Sequence, residues 1–237
     1  SLSAFYPFCW YYPLNLLFFS DQYLYMKIVD TTHIEGFPSD VVIGSASISE
    51  DFTARILSTK EKEEFRHFKN PGRQAEYLTA RHLFQFMTGE VMGTQKQAHL
   101  DKEPGGKPFA RIGDKHLYVS FSHSQKKVFC AVSEFKDIGI DTELLHRAIP
   151  NRVLKRVLDK TEMQLLEDLD PLQIWTLKEA AVKCLGTGLR TNLNEVRITL
   201  SKDNEISARF NNDKFIEICS FRTTDHQIAL AYHSKHI

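Results

Sequence analysis

Ile138-Gly139-Ile140-Asp141-Thr142-Glu143 is the stretch on which the reading of this chain turns. Side chains alternate across a strand, so Ile138 and Ile140 point to one face while Asp141 and Glu143 point to the other. The first face suits a core. The second carries two carboxylates that repel each other and resist burial unless a cation sits between them. A hard, oxygen-ligating ion such as Mg²⁺ relieves that repulsion, and Mn²⁺ accepts the same ligands. On a solvated strand end the same letters carry no function, so the reading needs a second constellation.

That constellation is Trp175-Thr176-Leu177-Lys178-Glu179-Ala180-Ala181-Val182-Lys183. Pro171 opens a helix expected to run through Leu185 and to stop at Gly186-Thr187-Gly188. Ile174, Leu177 and Ala181 form its buried stripe. Glu179 and Lys183, four residues apart, share another face. Alone they read as a surface ion pair worth about 0.2–0.5 kcal/mol. Beside the acidic strand they supply a third carboxylate for an ion and a cation for phosphate.

Composition narrows the class. At 237 residues, with 42% apolar and 25% charged side chains, the chain can bury the core of one large domain or two small ones. Lys+Arg and Asp+Glu both number 30, so no global charge demands nucleic acid or an anionic membrane, and any anion site must be a local cluster. Cys9, Cys130, Cys184 and Cys219 are scattered without a CxxC pair, which fits a reducing cytoplasm rather than zinc or a disulfide framework. Ala4 to Phe19 is apolar but interrupted by Pro7, Pro13 and Asn15, with no basic residue ahead of it. It is short for a membrane span and lacks the charged start of a signal peptide. Met26-Lys27-Ile28-Val29 reads as an alternative translation start, making residues 1–25 an extension; a surface-packed aromatic arm reads equally well.

Strands are expected at Met26–Val29 and Val41–Ser47. Ser58 caps a helix to about Phe68, with Glu61 completing a capping box. Asn70-Pro71-Gly72 breaks the chain, and a second helix spans Gln74 to about Met87. Glu103 to Pro108 is a turn. Leu117–Ser122 and Lys127–Glu134 read as strands joined through His123-Ser124-Gln125-Lys126. Helical patterns follow at Arg152–Leu158 and Thr161–Leu166, then strands at Glu195–Leu200, Glu205–Phe210, Lys214–Phe221 and Gln227–His233. Helix and strand clusters thus occur twice. The expectation is an α+β fold of two similar-sized halves, residues 26–136 and 137–237, with a ligand cleft between them.

Taken together, the Gly-Ile-Asp-x-Glu strand and the Trp-x-x-Lys-Glu-x-x-x-Lys helix resemble the signature of the surfactin-type 4′-phosphopantetheinyl transferases. Gly106-Lys107-Pro108 resembles that family's Gly-Lys-Pro turn, and Ser120-Phe121-Ser122-His123-Ser124 its Ser-His-Ser hairpin. Arg73-Gln74-Ala75-Glu76-Tyr77-Leu78-Thr79-Ala80-Arg81 resembles the Arg-containing helix of its enterobactin-type branch. The likeness spans about Ser58 to Leu200. It implies the family's fold, two halves in a pseudo-twofold arrangement, and transfer of the phosphopantetheine arm of coenzyme A to a serine of an acyl, polyketide or peptidyl carrier protein, with release of 3′,5′-ADP.

On that resemblance, Asp141, Glu143 and Glu179 hold Mg²⁺, and Glu179 takes the serine proton, directly or by relay. Lys183 holds the pyrophosphate and counts with Glu179 as catalytic, His123 meets the 3′-phosphate, Ser122 belongs to the coenzyme-binding set, and Arg73, Arg81 and Lys107 surround the nucleotide. Lys178 is either part of the site or a solvated neighbour. The family's carrier partners are acidic, and Arg147, Arg152, Lys155 and Arg156 are the basic cluster expected to meet them. A cytoplasmic monomer is expected. One departure stands out: Lys60-Glu61-Lys62-Glu63-Glu64 is net acidic where some relatives carry phosphate-binding lysines, leaving more of that task to Arg73 and Arg81. The competing readings are a metal-dependent exonuclease or phosphodiesterase, which leaves the Trp175–Lys183 helix and Lys107 unexplained, and a non-catalytic coenzyme A-binding module.

Overall fold

The computed structural model describes residues 25–93, 97–187, 191–201, 205–211 and 214–234. The expected extension at 1–25 therefore lies outside the described residues except for Tyr25, as do Cys9 and Gly188. Strands β1 (Met26–Ile28), β2 (Val41–Ser47), β3 (Leu100–Lys102), β4 (Pro108–Ile112), β5 (Lys115–Ser124) and β6 (Lys127–Ser133) build one antiparallel sheet in the order β1-β2-β6-β5-β4-β3. Strands β7 (Lys136–Leu144), β8 (Val196–Leu200), β9 (Ile206–Phe210), β10 (Lys214–Arg222) and β11 (His226–Ser234) build a second, ordered β7-β11-β10-β9-β8. Helices α1 (Thr59–Arg66) and α2 (Pro71–Met92) accompany the first sheet, α3 (Asn151–Val157) and α4 (Pro171–Leu185) the second. The fold is α+β, as the sequence led us to expect.

Local chemistry accounts for most boundaries. Ser58 and Glu61 form the reciprocal capping box that starts α1. Asn70-Pro71-Gly72 opens α2 rather than merely separating two helices: the Asn70 side chain accepts from Arg73 N, and Pro71 sits in the first turn, where its missing N–H costs nothing. At its other end α2 passes through Gly89 and stops only at Gly93, whose φ of +59° is the left-handed cap. The β5–β6 connection is also tighter than expected. His123 and Ser124 remain in the ladder opposite Val128 and Lys127, leaving Gln125 and Lys126 as the turn. β3 and β4 carry no strong alternation and were not anticipated.

Among the described residues four apolar clusters hold these layers, one of them Leu154, Leu158, Leu169 and Ile174 between α3 and α4. Leu83, Phe84 and Met87 of α2 pack on the first sheet. Leu177, Ala181 and Cys184 of α4 pack on the second. Ile43, Phe129, Ile138, Ile140 and Ile228 fill the space where the sheets face each other.

β7 joins the two sheets. One edge pairs with β11 through residues 136–144. The other edge lies against β5 without a backbone ladder. Instead, Ile140 N donates to Ser120 Oγ and Thr142 N to Ser122 Oγ, each at 3.0 Å. The two-residue spacing of these buried serines matches the period of the β7 amides that point away from β11, so hydroxyls replace carbonyls as acceptors.

α4 crosses β7 at backbone contact. A methyl group placed on Gly139 would stand 2.2 Å from Ala180 O and 2.2 Å from Cys184 N. Only glycine permits that approach, and the fully buried Ala180 and Ala181 keep the helix equally slim. Gly139→Ala is therefore expected to push α4 off β7, costing about 3 kcal/mol or more. A thermal melt checks this: the expected fall in Tm is roughly 6–12 °C for a chain of this size.

Candidate active site

Because α4 lies so close to β7, Glu179 and Lys183 overhang Asp141. All three border a cleft of about 530 Å³ that is also lined by Ser122, His123, Glu143, Arg147 and Trp175. The Lys183 ammonium has three protons and three acceptors: Asp141 Oδ1 at 2.8 Å, Ile140 O at 3.0 Å and Phe121 O at 3.3 Å. Two of these are carbonyls of β5 and β7 left without ladder partners at the junction. Lys183 thus ties both strands to α4 while keeping about a third of its side chain exposed.

The carboxylates are unequally satisfied. Asp141 Oδ1 accepts from Lys183 and, at 3.2 Å, from Ser122 Oγ. Asp141 Oδ2 is buried with no hydrogen-bond partner among the described residues. Leaving an anionic oxygen in that state is costly, and natural structures rarely do so without a reason. Burial pushes the Glu179 carboxyl above its usual range, the charge of Asp141 adds to the shift, and Lys183 and Arg147 oppose it. Glu143 is ion-paired with Arg147, whose guanidinium lies over the Trp175 ring at 5.5 Å from its centroid. Among the described residues, no three His, Cys, Asp or Glu side chains already stand around a common point as an ion would need. Glu143 faces Arg147 and Asp141 Oδ1 faces Lys183, so the acids share a cleft without converging. The donor set nevertheless fits a hard divalent ion: three carboxylates on one cavity, one oxygen unpaired, and a neighbour whose ionisation the others oppose.

A second cleft of about 250 Å³ opens on the other side of Lys183, between Gly105, Lys107, Phe121 and Gly186. Lys107 is no exposed turn residue. It is buried, ion-paired with Asp137, and donates to Cys184 O at 2.5 Å, which places a cation on the carbonyl end of α4.

The remaining expected residues fall into two groups. Arg73 and the exposed His123 share Glu76, His123 Nδ1 lying 3.3 Å from Glu76 Oε1. Arg81 is largely enclosed, 3.2 Å from Glu61 Oε1 and stacked on Tyr77. Glu61 explains the acidic departure in α1: it is buried as both helix cap and counter-ion of Arg81. Lys178 requires a correction. It is fully buried, 2.7 Å from Glu162 Oε1, and points away from the cleft, so it contacts no ligand there. Arg147 also separates from the basic cluster assumed in the sequence: it belongs to the cleft, while Arg152, Lys155 and Arg156 lie exposed on α3. Its position four residues after Glu143 was the available signal.

The raised Glu179 fixes a pH dependence. Its unfolded value is near 4.5 and its folded value is higher, so a penalty builds as pH rises from 4.5 through the folded value and is absent below. Glu179→Gln is accordingly expected to raise Tm at pH 8, with the gain shrinking to nothing near pH 4; melts across that range provide the check.

Residues 137–232 match the model of the 4′-phosphopantetheinyl transferase superfamily. The chain is 31% identical over 159 residues to the 4′-phosphopantetheinyl transferase HetI of a Nostoc species, covering 62% of this chain and 67% of that protein. It is 29% identical over 174 residues to the 4′-phosphopantetheinyl transferase Sfp of Bacillus subtilis, covering 65% and 76%. A crystal structure of Helicobacter pylori holo-acyl-carrier-protein synthase with coenzyme A covers 40% of this chain and 96% of that one, at 21% identity and a TM-score of 0.35. Identity of 31% sustained across two thirds of the Nostoc enzyme settles the family: this chain belongs to the 4′-phosphopantetheinyl transferase superfamily and is an enzyme of that class.

Proposed function

We propose that the protein transfers the 4′-phosphopantetheine arm of coenzyme A to a serine hydroxyl of an acyl, polyketide or peptidyl carrier protein, with Mg²⁺ or Mn²⁺ held by Asp141, Glu143 and Glu179. The observation that carries this reading is the unpaired Oδ2 of Asp141, a residue that lines one cleft with Glu143, Glu179 and Lys183. When bound, the ion neutralises the pyrophosphate and acts as a Lewis acid on it.

The chain's own groups are suited to the rest. Serine Oγ bonds to the phosphorus that carries pantetheine, the bond from that phosphorus to 3′,5′-ADP breaks, and the serine proton leaves. Glu179 takes that proton, directly or by relay through a water in the cleft it borders. Lys183 borders both clefts and is the cation placed to meet the pyrophosphate between them. Transfer of this kind depends mainly on positioning and charge, which the α4–β7 contact supplies. His123 lines the first cleft and shares Glu76 with Arg73, which holds both until a phosphate arrives; Ser122 acts by orienting Asp141. Lys107 and Arg81 shape the nucleotide side through Asp137, Cys184 and Glu61 rather than as free cations. We assign the work to residues 26–136 and 137–237 acting as two halves of one monomer. Among the described residues no helix is long and apolar enough to cross a membrane, and the unpaired Cys130 and Cys184 suit a reducing cytoplasm.

Incubation with coenzyme A, Mg²⁺ and an apo carrier protein tests the reading: the carrier gains the mass of one phosphopantetheine arm. Hydrolysis of nucleic acid or a phosphodiester, or coenzyme A binding without transfer, contradicts it. Asp141→Ala and Glu179→Ala are each expected to slow transfer by about 10²–10³-fold or more while circular dichroism stays unchanged.

The exposed Arg152, Lys155 and Arg156 on α3 fit an acidic carrier surface. Reversing Arg152 and Lys155 to glutamate is expected to raise KM for the carrier several-fold and leave that for coenzyme A unchanged; equal effects on both substrates contradict the assignment.

A further inference from the structure

Arg147 lines the cleft, yet the proposed transfer gives it no task. Its backbone is fixed by a turn, Arg147 N donating to Leu144 O at 2.9 Å directly after β7. Its guanidinium is paired with Glu143 and lies over the Trp175 face. It thus sits at the mouth of an acidic cavity as a monovalent cation among three carboxylates. The acids do not converge in this state, and Glu143 is the one turned aside onto Arg147.

We infer that Arg147 is the resident counter-cation of Glu143 and that a divalent ion has to displace it before Glu143 becomes a ligand. This rests on the metal reading above. Glu143 is mostly enclosed, but the Arg147 side chain is 45% exposed, so the guanidinium can leave the pair toward solvent. Trp175 gives the displaced guanidinium a surface to remain on, at little cost in hydration. Free of Glu143, that guanidinium stays in the cleft as a positive group beside any bound anion. Arg147 is in this sense a positioning residue: it keeps the acidic cleft closed to weakly bound cations and sets how tightly a divalent ion is held.

Direct binding measurements separate this from a structural ion pair. Mn²⁺ alone is titrated, by calorimetry or by the paramagnetic resonance of the free ion, into the full chain, Arg147→Gln, Arg147→Lys, and Glu143→Gln with and without Arg147→Gln. Arg147→Gln is expected to bind Mn²⁺ about three- to tenfold more tightly than wild type. Arg147→Lys, which keeps the charge, is expected to stay within about twofold. On the Glu143→Gln background the gain from Arg147→Gln shrinks. Equal or weaker binding in Arg147→Gln overturns the inference and leaves the metal site standing, as does an equal gain in Arg147→Lys. Absence of Mn²⁺ binding in every folded variant overturns the metal reading, and this inference with it.

Discussion

The seating of α4 on β7 at Gly139 is the contact from which the candidate site follows. Helices usually ride on sheets at side-chain distance, about 10 Å between axes and strands. Here the missing Cβ of Gly139 lets the helix backbone touch the strand. The reach of Lys183 to Ile140 O and Asp141, and the burial of Glu179, are consequences of that proximity. Most of the binding geometry therefore comes from packing of rigid elements, with the loops contributing Arg147 and the Gly105-Gly106-Lys107 turn.

That geometry is electrostatically expensive. Asp141, Glu143 and Glu179 share one cavity, and the chain offsets their charge with Lys183 and Arg147 rather than with apolar neighbours. Asp141 keeps one oxygen unpaired. A protein selected for stability alone would have paired or replaced that oxygen; retention of unfavourable terms in one place marks functional sites. The serine pair of β5 extends the same economy of parts. Ser120 and Ser122 join two sheets that lack a common ladder, and Ser122 additionally orients Asp141.

Much of this was legible in the residues themselves. Alternation along 138–143 gave both the buried face and the acidic one, and the i, i+4 spacing of Glu179 and Lys183 put them on one helix face. The bounds of α4 followed from Pro171 and Gly186. What remained hidden were matters of three-dimensional partnership. Lys178 has the same charge as Lys183 and lies in the same motif, yet helix rotation turns it toward Glu162 in the core. Lys107 was expected beside the nucleotide, but the close fit of Gly105 against Gly186 buries it under the end of α4, paired with Asp137. Net charge along Lys60–Glu64 suggested a lost phosphate site, whereas Glu61 is the partner that Arg81 requires. Local periodicity reports which face a residue occupies; it does not report what waits on the other side.

The central claim is that a divalent ion belongs between β7 and α4, on the free oxygen of Asp141. Anomalous diffraction from crystals grown with Mn²⁺ and coenzyme A tests it most directly. The account predicts a single strong peak in the larger cleft, bonded to Asp141 Oδ2, with Glu143 and Glu179 turned toward it. A peak bonded to other residues, or bound coenzyme A with no peak at Asp141, contradicts it.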